Sequence, residues 1–316
     1  MKAVFLDFAT MGSGLDVTGL NELFPGVEVF DVTANDDVAE RIRGAAFVFC
    51  NKSRIRGDAI RGNDDLRYIG LTATGTDNID IEAATECGVT VRNIRAYCTR
   101  SIAEHVFGCL LNLTRNLGQF DKAVRAGKWQ SSPDFCLLSY PMHELSAMTL
   151  GIVGYGELGR GVARVAEAFG MRVIVSARPG SAAVPDGRVA FEELLEQSDV
   201  VSLHCPLNEN NEKLFGESVF RKMKSNAILI NTARGGLVDS AALVTALQDG
   251  EIAAAAIDVL PQEPPVDGNP LLDYDGANLM ITPHVAWGSN EARQAAIDQL
   301  VENARAFLAG HGNPPS

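Results

Sequence analysis

Three polar residues in the second half of the chain have side chains suited to one reaction. Arg234 follows the apolar stretch Ala227–Ile230, and Glu263 and His284 follow the next two such stretches. An arginine holds a carboxylate through two hydrogen bonds, and a histidine exchanges a proton with an alcohol or carbonyl near neutral pH. A neighbouring glutamate favours the imidazolium form and fixes the proton on one ring nitrogen. The set therefore predicts acid–base chemistry on a carboxylic acid.

Each of these residues alone has an ordinary structural explanation. An arginine after a strand is usually a surface ion pair, and a single histidine usually caps a helix or packs. Separations of 29 and 21 residues are nevertheless compatible with a common site, because the carboxyl ends of parallel strands meet at one edge of a sheet. We therefore interpret Arg234, Glu263 and His284 as one catalytic set.

A glycine-rich stretch at Thr149–Arg160 predicts the site of a dinucleotide. The apolar residues Leu150, Ile152 and Val153 predict a buried strand, and the following glycines have the G-x-G-x-x-G spacing. In this pattern the first glycine allows a tight turn, the second lets a pyrophosphate approach the backbone, and the third lets the helix pack closely. Because an amphipathic helix and a second apolar stretch follow, we favour a diphosphate site over a plain strand–helix turn. The glycines are Gly154, Gly156 and Gly159.

Short apolar stretches alternate with polar-faced helical segments along the chain, which predicts an α/β fold with parallel sheets covered by helices. The length of 316 residues suggests two domains. The predicted strands are Val4–Phe8, Val27–Val32, Phe47–Cys50, Tyr68–Leu71 and Val89–Val91 in the first series, and Val173–Ser176, Val200–Leu203, Ala227–Asn231, Ala254–Val259 and Leu279–Thr282 in the second.

Helix signals complete the predicted elements. Asp80 is expected to cap a short helix, 80–87, and Ser101 to begin a long apolar helix that continues past residue 114, with Glu104 completing a capping box. Trp129–Leu145 has little periodicity and is interpreted as an extended arm. Asn290–Leu308 is predicted to be the last helix.

Two loops of the first series also follow predicted strands and are candidate ligand loops. Asn51 comes directly after Phe47–Cys50, and Ala73–Gly75 comes after Tyr68–Leu71. Ligands bind at the carboxyl ends of strands in such sheets. The alternative, that Gly75 only makes a turn, remains open at this point.

Composition excludes several classes of protein. The net charge of −13 argues against a nucleic-acid partner, which requires a basic surface. No stretch approaches the roughly 20 apolar residues of a membrane span, and the N-terminal apolar run is too short for a signal peptide. The six cysteines lack the spacing of a zinc site. We expect reduced thiols, no metal and a cytoplasmic location.

Several motifs spread over nearly the whole chain resemble those of the D-isomer-specific 2-hydroxyacid dehydrogenases, most closely the glycerate dehydrogenase / hydroxypyruvate reductase branch. The motifs are Gly75-Thr-Asp-Asn-Ile-Asp80, Ser101-Ile-Ala-Glu-His105, Gly151-Ile-Val-Gly-Tyr-Gly-Glu-Leu-Gly159, His204-Cys-Pro-Leu207, Asn231-Thr-Ala-Arg-Gly-Gly236 and Thr282-Pro-His-Val-Ala-Trp287.

The resemblance implies an NAD(P)-dependent oxidoreductase that reduces a small 2-oxo acid, of the hydroxypyruvate or glyoxylate type, to the D-2-hydroxy acid. Arg234 would bind the substrate, His284 would be the acid/base and Glu263 its partner. Substrate contacts would also come from Asn51, Thr74 and Gly75. For the cofactor, Ile102 would lie behind the nicotinamide ring, Asp258 would contact its carboxamide, and Cys205 and Pro206 would line the adenosine side. The other residues expected to contact the cofactor are Gly154, Tyr155, Gly156, Glu157, Leu158, Gly159, Ser176, Ala177, Arg178, His204, Thr232, Ala233 and His284.

One position departs from the family pattern. About 20 residues past the glycines, many members place an aspartate that binds the ribose hydroxyls, and Ala177 stands there in this chain. Ser176, Arg178 and Ser181 are then expected to hold a 2′-phosphate, Arg178 through charge-assisted hydrogen bonds. Alternatively, Arg178 stacks on the adenine or faces solvent, and NAD binds through the backbone. We favour NADP(H) over NAD(H).

The expected architecture is two Rossmann-like domains. A doubly wound dinucleotide domain, 98–288, is inserted into a smaller flavodoxin-like substrate domain, 1–97 and 289–316. The long helix at residue 101 and the arm suggest a homodimer, as the resemblance also implies. The main alternative is a nicotinamide-sensing, corepressor-like binding protein on the same scaffold, since a fold does not fix a function.

Overall fold

The computed structural model describes residues 1–181 and 183–310. The chain forms two compact units, Met1–Cys98 with the segment from Gly288 onward, and Thr99–Trp287. The end of the predicted segment 289–316, residues 311–316, lies outside the described residues.

The strands and helices alternate along the described chain. The strands are β1 (Ala3–Phe5), β2 (Glu28–Val29), β3 (Phe47–Cys50), β4 (Tyr68–Leu71), β5 (Thr90–Arg92), β6 (Thr149–Val153), β7 (Arg172–Val175), β8 (Val200–Leu203), β9 (Ile228–Asn231), β10 (Ala254–Ile257) and β11 (Leu279–Ile281). The helices are α1 (Thr18–Leu23), α2 (Val38–Arg41), α3 (Gly57–Arg61), α4 (Ile81–Glu86), α5 (Thr99–Arg115), α6 (Leu117–Arg125), α7 (Glu157–Ala168), α8 (Phe191–Gln197), α9 (Glu217–Phe220), α10 (Ser240–Gln248), α11 (Pro270–Asp273) and α12 (Asn290–Leu308).

The first unit contains a five-stranded parallel sheet in the order β2-β1-β3-β4-β5. This is the flavodoxin-like order, with its switch point between β1 and β3. Helix α12 packs on β4, and the approach is close because a Cβ on Gly70 would lie 2.9 Å from Leu300 Cδ1. The C-terminal helix therefore belongs to the sheet built by the N-terminal residues.

The second unit contains a six-stranded parallel sheet in the order β11-β10-β9-β8-β6-β7. Beyond β7, Val189 forms only an isolated parallel bridge with Ser176. Counting this bridge as a vestigial strand gives the order of a doubly wound dinucleotide fold, with the switch point between β6 and β8. The predicted α/β class, with two parallel sheets, is confirmed.

Two predicted strands of the first unit are shorter than expected. Val4–Phe8 ends at Phe5, because the Asp7 carboxylate accepts hydrogen bonds from the loop after β3 and the chain turns there into a short 3₁₀ helix, Phe8–Met11. Val27–Val32 is reduced to the two exposed residues of β2 at the edge of the sheet. The apolar residues predicted where both strands lie but not where each strand ends.

The predicted start of the long helix is wrong. Helix α5 begins at Thr99, so Ser101 lies inside it, and the Ser101 hydroxyl donates to the Ala286 carbonyl instead of capping the helix. The helix continues past residue 114, as predicted, and ends at Arg115, before Asn116 adopts a left-handed conformation (φ 52°) and α6 begins.

Other local predictions agree with the structure. Asp80 caps α4 by accepting a hydrogen bond from the Ala83 N–H at 2.9 Å, and the last helix spans Asn290–Leu308. Residues 126–144 contain no helix or strand. None of the helices in the described part of the chain has the length and apolar character that crossing a membrane requires.

Candidate active site

Strands β9, β10 and β11 are parallel neighbours, so their carboxyl ends share one edge of the second sheet. Arg234, Glu263 and His284 each lie on the loop that follows one of these strands. The three predicted catalytic residues therefore stand on adjacent loops of a single unit.

Glu263 and His284 are in direct contact. Glu263 Oε2 lies 2.6 Å from His284 Nδ1, and Glu263 Oε1 accepts the Leu260 N–H at 2.9 Å. Because a carboxylate only accepts, Nδ1 carries the hydrogen and Nε2 is left to exchange a proton with a ligand. The His284 side chain is 26% exposed, so a small molecule can reach it.

The backbone of His284 is held in an uncommon conformation. Its φ of 55° lies in the left-handed region, which histidine tolerates better than most residues. The His284 N–H donates to the Asp258 carbonyl at 2.7 Å. The Asp258 carboxylate accepts from the Thr282 hydroxyl at 2.6 Å and from the Val285 and Ala286 N–H groups at 2.9 Å each.

These bonds give Asp258 a structural role in addition to the cofactor contact expected of it. Its side chain is only 1% exposed, and three donors from the following loop occupy its oxygens. A charged group buried to this degree requires such donors. The carboxylate therefore fixes the loop that carries His284, and its expected contact with the carboxamide of a nicotinamide stays a prediction.

Arg234 is positioned by the residue that ends β9. Buried Asn231 accepts the Ala233 N–H at 3.0 Å and donates to the Arg234 carbonyl at 2.9 Å. A Cβ on Gly235 would lie 2.0 Å from the backbone of Leu260, so a glycine is required for this approach. The loop of Arg234 thus touches the turn whose Leu260 N–H binds Glu263.

The glycine-rich loop has the three properties predicted for it. Gly154 has a φ of 97°, and a Cβ on it would lie 2.5 Å from the Cys205 nitrogen. A Cβ on Gly159 would lie 2.2 Å from the Gly154 oxygen, so the helix can pack only without it. A Cβ on Gly156 would meet nothing within 4 Å. The loop therefore leaves open space directly before α7, where a diphosphate is expected.

The loop after β8 forms the other side of this switch point. The His204 N–H donates to the Val153 carbonyl at 2.7 Å, and its Nε2 lies 2.8 Å from Ser202 Oγ. Burial lowers the pKa of His204 to about 4 and raises the pKa of the Cys205 thiol. Pro206 is exposed next to them. The loop therefore presents neutral groups beside the glycines.

Three residues predicted to contact the cofactor, Ser176, Ala177 and Arg178, lie at the end of β7. Ser176 is buried, and its hydroxyl donates to the Ala177 carbonyl. The contact of this hydroxyl with a 2′-phosphate stays a prediction. Ala177 is also buried, whereas Arg178 is exposed. Arg188 Nη1 donates to the Ser176 carbonyl at 3.1 Å. Two arginines therefore flank this end of the strand.

The remaining residues predicted for cofactor contact have different surroundings. Ile102 is buried on α5, and Tyr155 and Leu158 are half-buried. Glu157 accepts a hydrogen bond from the Thr99 hydroxyl at 2.8 Å. Buried Thr232, which precedes half-buried Ala233, has an Oγ1 atom without a hydrogen-bond partner among the described residues.

The three residues predicted to contact substrate from the first unit lie after β3 and β4. The Asp7 carboxylate accepts the N–H groups of residues 51, 52 and 53 at 2.8, 2.6 and 2.6 Å, and Asn51 Nδ2 donates to Thr10 at 3.0 Å. Exposed Thr74 accepts a hydrogen bond from Asn93 through its carbonyl, and Gly75 is half-buried. Asn51 thus lies at the switch point of its sheet.

Sequence reasoning missed Asn231, Asp7 and Arg188, which hold loops in place. A polar residue at the end of an apolar strand was the available signal for Asn231 and Asp7. Arg188 carried no signal, because its partner is a backbone carbonyl twelve residues away.

Comparison with known proteins identifies relatives along the whole chain. Residues 107–286 match the family model described as D-isomer specific 2-hydroxyacid dehydrogenase, NAD binding domain. Glycerate dehydrogenase of Methylorubrum extorquens is 45% identical over 311 residues, covering 98% of this chain and 96% of that protein. Hydroxypyruvate reductase of Blautia hydrogenotrophica is 37% identical, covering 98% of both. Among solved structures, an acyclic imino acid reductase in complex with NADPH and D-Arg superimposes with a TM-score of 0.85 at 29% identity, covering 98% of both chains.

The lowered pKa of His204 predicts a stability change with pH. Its pKa is about 4 in the folded chain and about 6.5 when unfolded, so the unfolded chain binds more protons between these values. As pH falls from about 6.5 to 4, the folded chain should lose up to about 3 kcal/mol through this residue. In His204→Gln, the free energy of unfolding, measured by urea titration, should fall less steeply over this window.

Exposed His143 provides the matched control. His143→Gln should keep the wild-type slope between pH 4 and 7. Parallel curves for wild type and His204→Gln would contradict the prediction.

Proposed function

The chain belongs to the D-isomer-specific 2-hydroxyacid dehydrogenases, a family of oxidoreductases that act on the CH–OH group, and we propose that it reduces a small 2-oxo acid such as hydroxypyruvate or glyoxylate to the D-2-hydroxy acid. The observation that carries the proposal is the 2.6 Å contact between Glu263 and His284. The Arg234 loop touches the turn that holds Glu263. The names of the relatives, all enzymes, lend no support to the corepressor-like alternative.

The residues around the switch point of the second sheet fit a nicotinamide dinucleotide. Gly156 leaves open space before the N-terminus of α7, where free N–H groups and the helix dipole favour a diphosphate. The Thr232 hydroxyl, which has no hydrogen-bond partner among the described residues, and neutral His204 border the same strand ends. When bound, the reduced nicotinamide supplies the hydride that adds to C2 of the oxo acid.

His284 is the proton donor of the proposed reaction. The imidazolium gives the hydrogen on Nε2 to the carbonyl oxygen of the substrate, while the hydrogen on Nδ1 stays on the ring and continues to donate to Glu263. Glu263 stabilises the charged ring and fixes its orientation. In the reverse direction, the neutral ring accepts the alcohol proton at Nε2.

Arg234 binds the substrate carboxylate and the carbonyl oxygen. Its planar guanidinium matches a carboxylate in a bidentate arrangement. As negative charge develops on the oxygen, a fixed cation is worth a few kcal/mol of the barrier, roughly 3 by analogy with other oxyanion sites. The clamp of Asn231 on the Arg234 backbone supports this role, because it fixes the base of the side chain.

The two units have different proposed binding roles. We propose that residues 98–288 form the dinucleotide-binding domain and that residues 1–97 and 289–316 form the substrate domain. The placement of Asn51, Thr74 and Gly75 at the carboxyl ends of β3 and β4 supports this division. The ordered loop at Asn51 also supports it, because three backbone bonds to Asp7 fix that loop.

Substitution of the catalytic residues tests the proposal. His284→Ala and Arg234→Ala should each lower kcat/KM at least about a thousandfold, since a proton donor and an oxyanion partner are lost, while the cofactor Kd changes little. Asn51→Ala should mainly raise KM for the oxo acid. NAD(P)H oxidation with hydroxypyruvate and glyoxylate, and cofactor titration by fluorescence, measure these effects.

Glu251, which pairs with Arg221, supplies a control for general effects of charge loss. Glu251→Gln should retain wild-type kcat/KM. Equal loss of turnover and cofactor binding in His284→Ala and Arg234→Ala would instead indicate a structural role for these residues.

We propose NADP(H) as the preferred cofactor. Ala177 offers no carboxylate to bind a ribose 2′-hydroxyl or to repel a 2′-phosphate. Arg178 is exposed at the end of β7, and Arg188 is bonded to the same strand end. A cation in this position favours the phosphate through charge-assisted hydrogen bonds.

The ratio of kcat/KM for NADPH and NADH measures this preference. Arg178→Ala should lower kcat/KM for NADPH by about ten- to a hundredfold, the worth of one hydrogen bond to a charged group, and change that for NADH far less. Arg172→Ala, at the opposite end of β7, should leave the ratio unchanged. If kcat/KM of the wild type were much higher with NADH than with NADPH, the preference for NADP(H) inferred from Ala177 would be refuted.

We propose that the protein is a homodimer. The segment 126–144 exposes large apolar side chains without forming a helix or strand, which is typical of an interaction surface. Trp129 is 52% exposed, Leu138 73% and Phe135 90%. A second copy of the chain that covers this segment would remove these side chains from water.

Sedimentation equilibrium measures the mass of the assembly. The wild type should have twice the 33.8 kDa mass of the chain, and the double variant Phe135→Asp with Leu138→Asp should shift toward monomer because burying two charges is unfavourable. Val266→Asp changes an equally exposed residue elsewhere and should leave the mass unchanged. A wild type that remains monomeric at tens of micromolar would refute the dimer.

We also propose a cytoplasmic location. All six cysteines lie among the described residues and none forms a disulfide, as expected in a reducing compartment. Recovery of the protein with a secreted or periplasmic fraction would overturn this assignment.

A further inference from the structure

Polar side chains on one face of α5 contact the strand and loop that lead to His284. The Ser101 hydroxyl donates to the Ala286 carbonyl at 2.7 Å, and His105 Nε2 lies 3.1 Å from Thr282 Oγ1. Residues four apart lie on the same face of a helix. Neither contact serves α5 itself, so both side chains act on the loop.

The bond between His105 and Thr282 has a defined direction. The Thr282 hydroxyl has one proton, and it goes to Asp258 Oδ1 at 2.6 Å, because a carboxylate only accepts. Thr282 Oγ1 must therefore accept from His105, whose hydrogen is on Nε2. The hydrogen bonds run in one sequence from α5 through Thr282 to the buried carboxylate.

The Asp258 carboxylate itself lies close to this helix, with Oδ1 3.7 Å from His105 Nε2. Cys109 lies one turn after His105, and burial, together with the negative charge of Asp258, raises its pKa to about 11. The carboxylate therefore lies between α5 and its own loop.

Ser101 and His105 together form a brace, which supports the loop around its most unfavourable backbone conformation. His284 has a left-handed backbone, a conformation that costs of order 1–3 kcal/mol unless its surroundings enforce it. Its N–H is bound by the Asp258 carbonyl, and the next two N–H groups by the Asp258 carboxylate. Ser101 holds the end of this segment at Ala286, and His105 holds its start at Thr282.

We propose that Ser101 and His105 are positioning residues that aim the acid/base His284 by bracing residues 282–286 against α5. The assignment rests on the proposed function for its catalytic consequence, but the brace itself does not depend on it. The two residues need not touch a ligand, because they act on the backbone that carries the imidazole. Small displacements of a reacting group are costly in rate.

Conservative and non-conservative variants separate hydrogen bonding from packing. His105→Leu and Ser101→Ala should each lower kcat by about ten- to a hundredfold through misplacement of His284, with KM for the oxo acid and the cofactor Kd within about twofold of wild type. His105→Gln, whose amide reaches the position of Nε2, and Ser101→Thr should recover most of the loss. Glu104→Gln, exposed on the same helix, should match the wild type.

The hydrogen bonds from His105 through Thr282 to Asp258 predict the effect on kcat of replacing Thr282. If His105 acts through that hydroxyl, Thr282→Val should lower kcat to a similar degree, and the double variant with His105→Leu should be little worse than either alone. Additive losses would overturn the action of His105 through Thr282.

Amide hydrogen exchange tests the brace without reference to turnover. In His105→Leu and Ser101→Ala, the N–H groups of Val285 and Ala286 should exchange at least about tenfold faster, because local opening of the loop becomes easier, while those of β9 and β10 keep wild-type rates. Unchanged exchange at Val285 and Ala286 would overturn the brace even if the wild type is active. Faster exchange there in a protein that reduces no 2-oxo acid would support the brace and refute the proposed function.

Discussion

The carboxylate of Asp258 is buried almost completely and is bound by three donors from one short loop. Taking such a charge out of water costs several kcal/mol unless donors replace the water. The loop therefore has little freedom to leave the carboxylate, and its backbone carries His284. The same group that must be satisfied for the unit to fold also determines where the imidazole points. Glu263 then fixes the ring from the other side at 2.6 Å.

Local sequence patterns predicted the parts of this arrangement that depend on local chemistry. The spacing of Gly154, Gly156 and Gly159 corresponds to a positive φ, an open approach and a close backbone contact. The contact between Glu263 and His284 was expected because both follow strands of a parallel sheet, and such strands end at a common edge. Alternating apolar stretches also gave the α/β class and the positions of β3, β4 and β8.

The sequence was misleading where a side chain takes its partner from a distant part of the chain. Ser101 has the spacing of a helix cap with Glu104, yet its partner is the carbonyl of Ala286, 185 residues away. The donors to Asp258 likewise lie 24 to 28 residues further on, where no local pattern indicates them. No periodicity records these choices, because tertiary packing makes them.

The edge of the second sheet beyond β7 has little regular structure. Among the described residues that follow β7, Val189 pairs with Ser176 in an isolated bridge. The described residues between Ser176 and Val189 form neither helix nor strand. Arg178 and Arg188 belong to this margin rather than to the hydrophobic core. Surface substitutions outside a core usually change stability little. Substitutions in this margin can therefore change the charge at the carboxyl end of β7, while the strands and the contact between Glu263 and His284 remain unchanged.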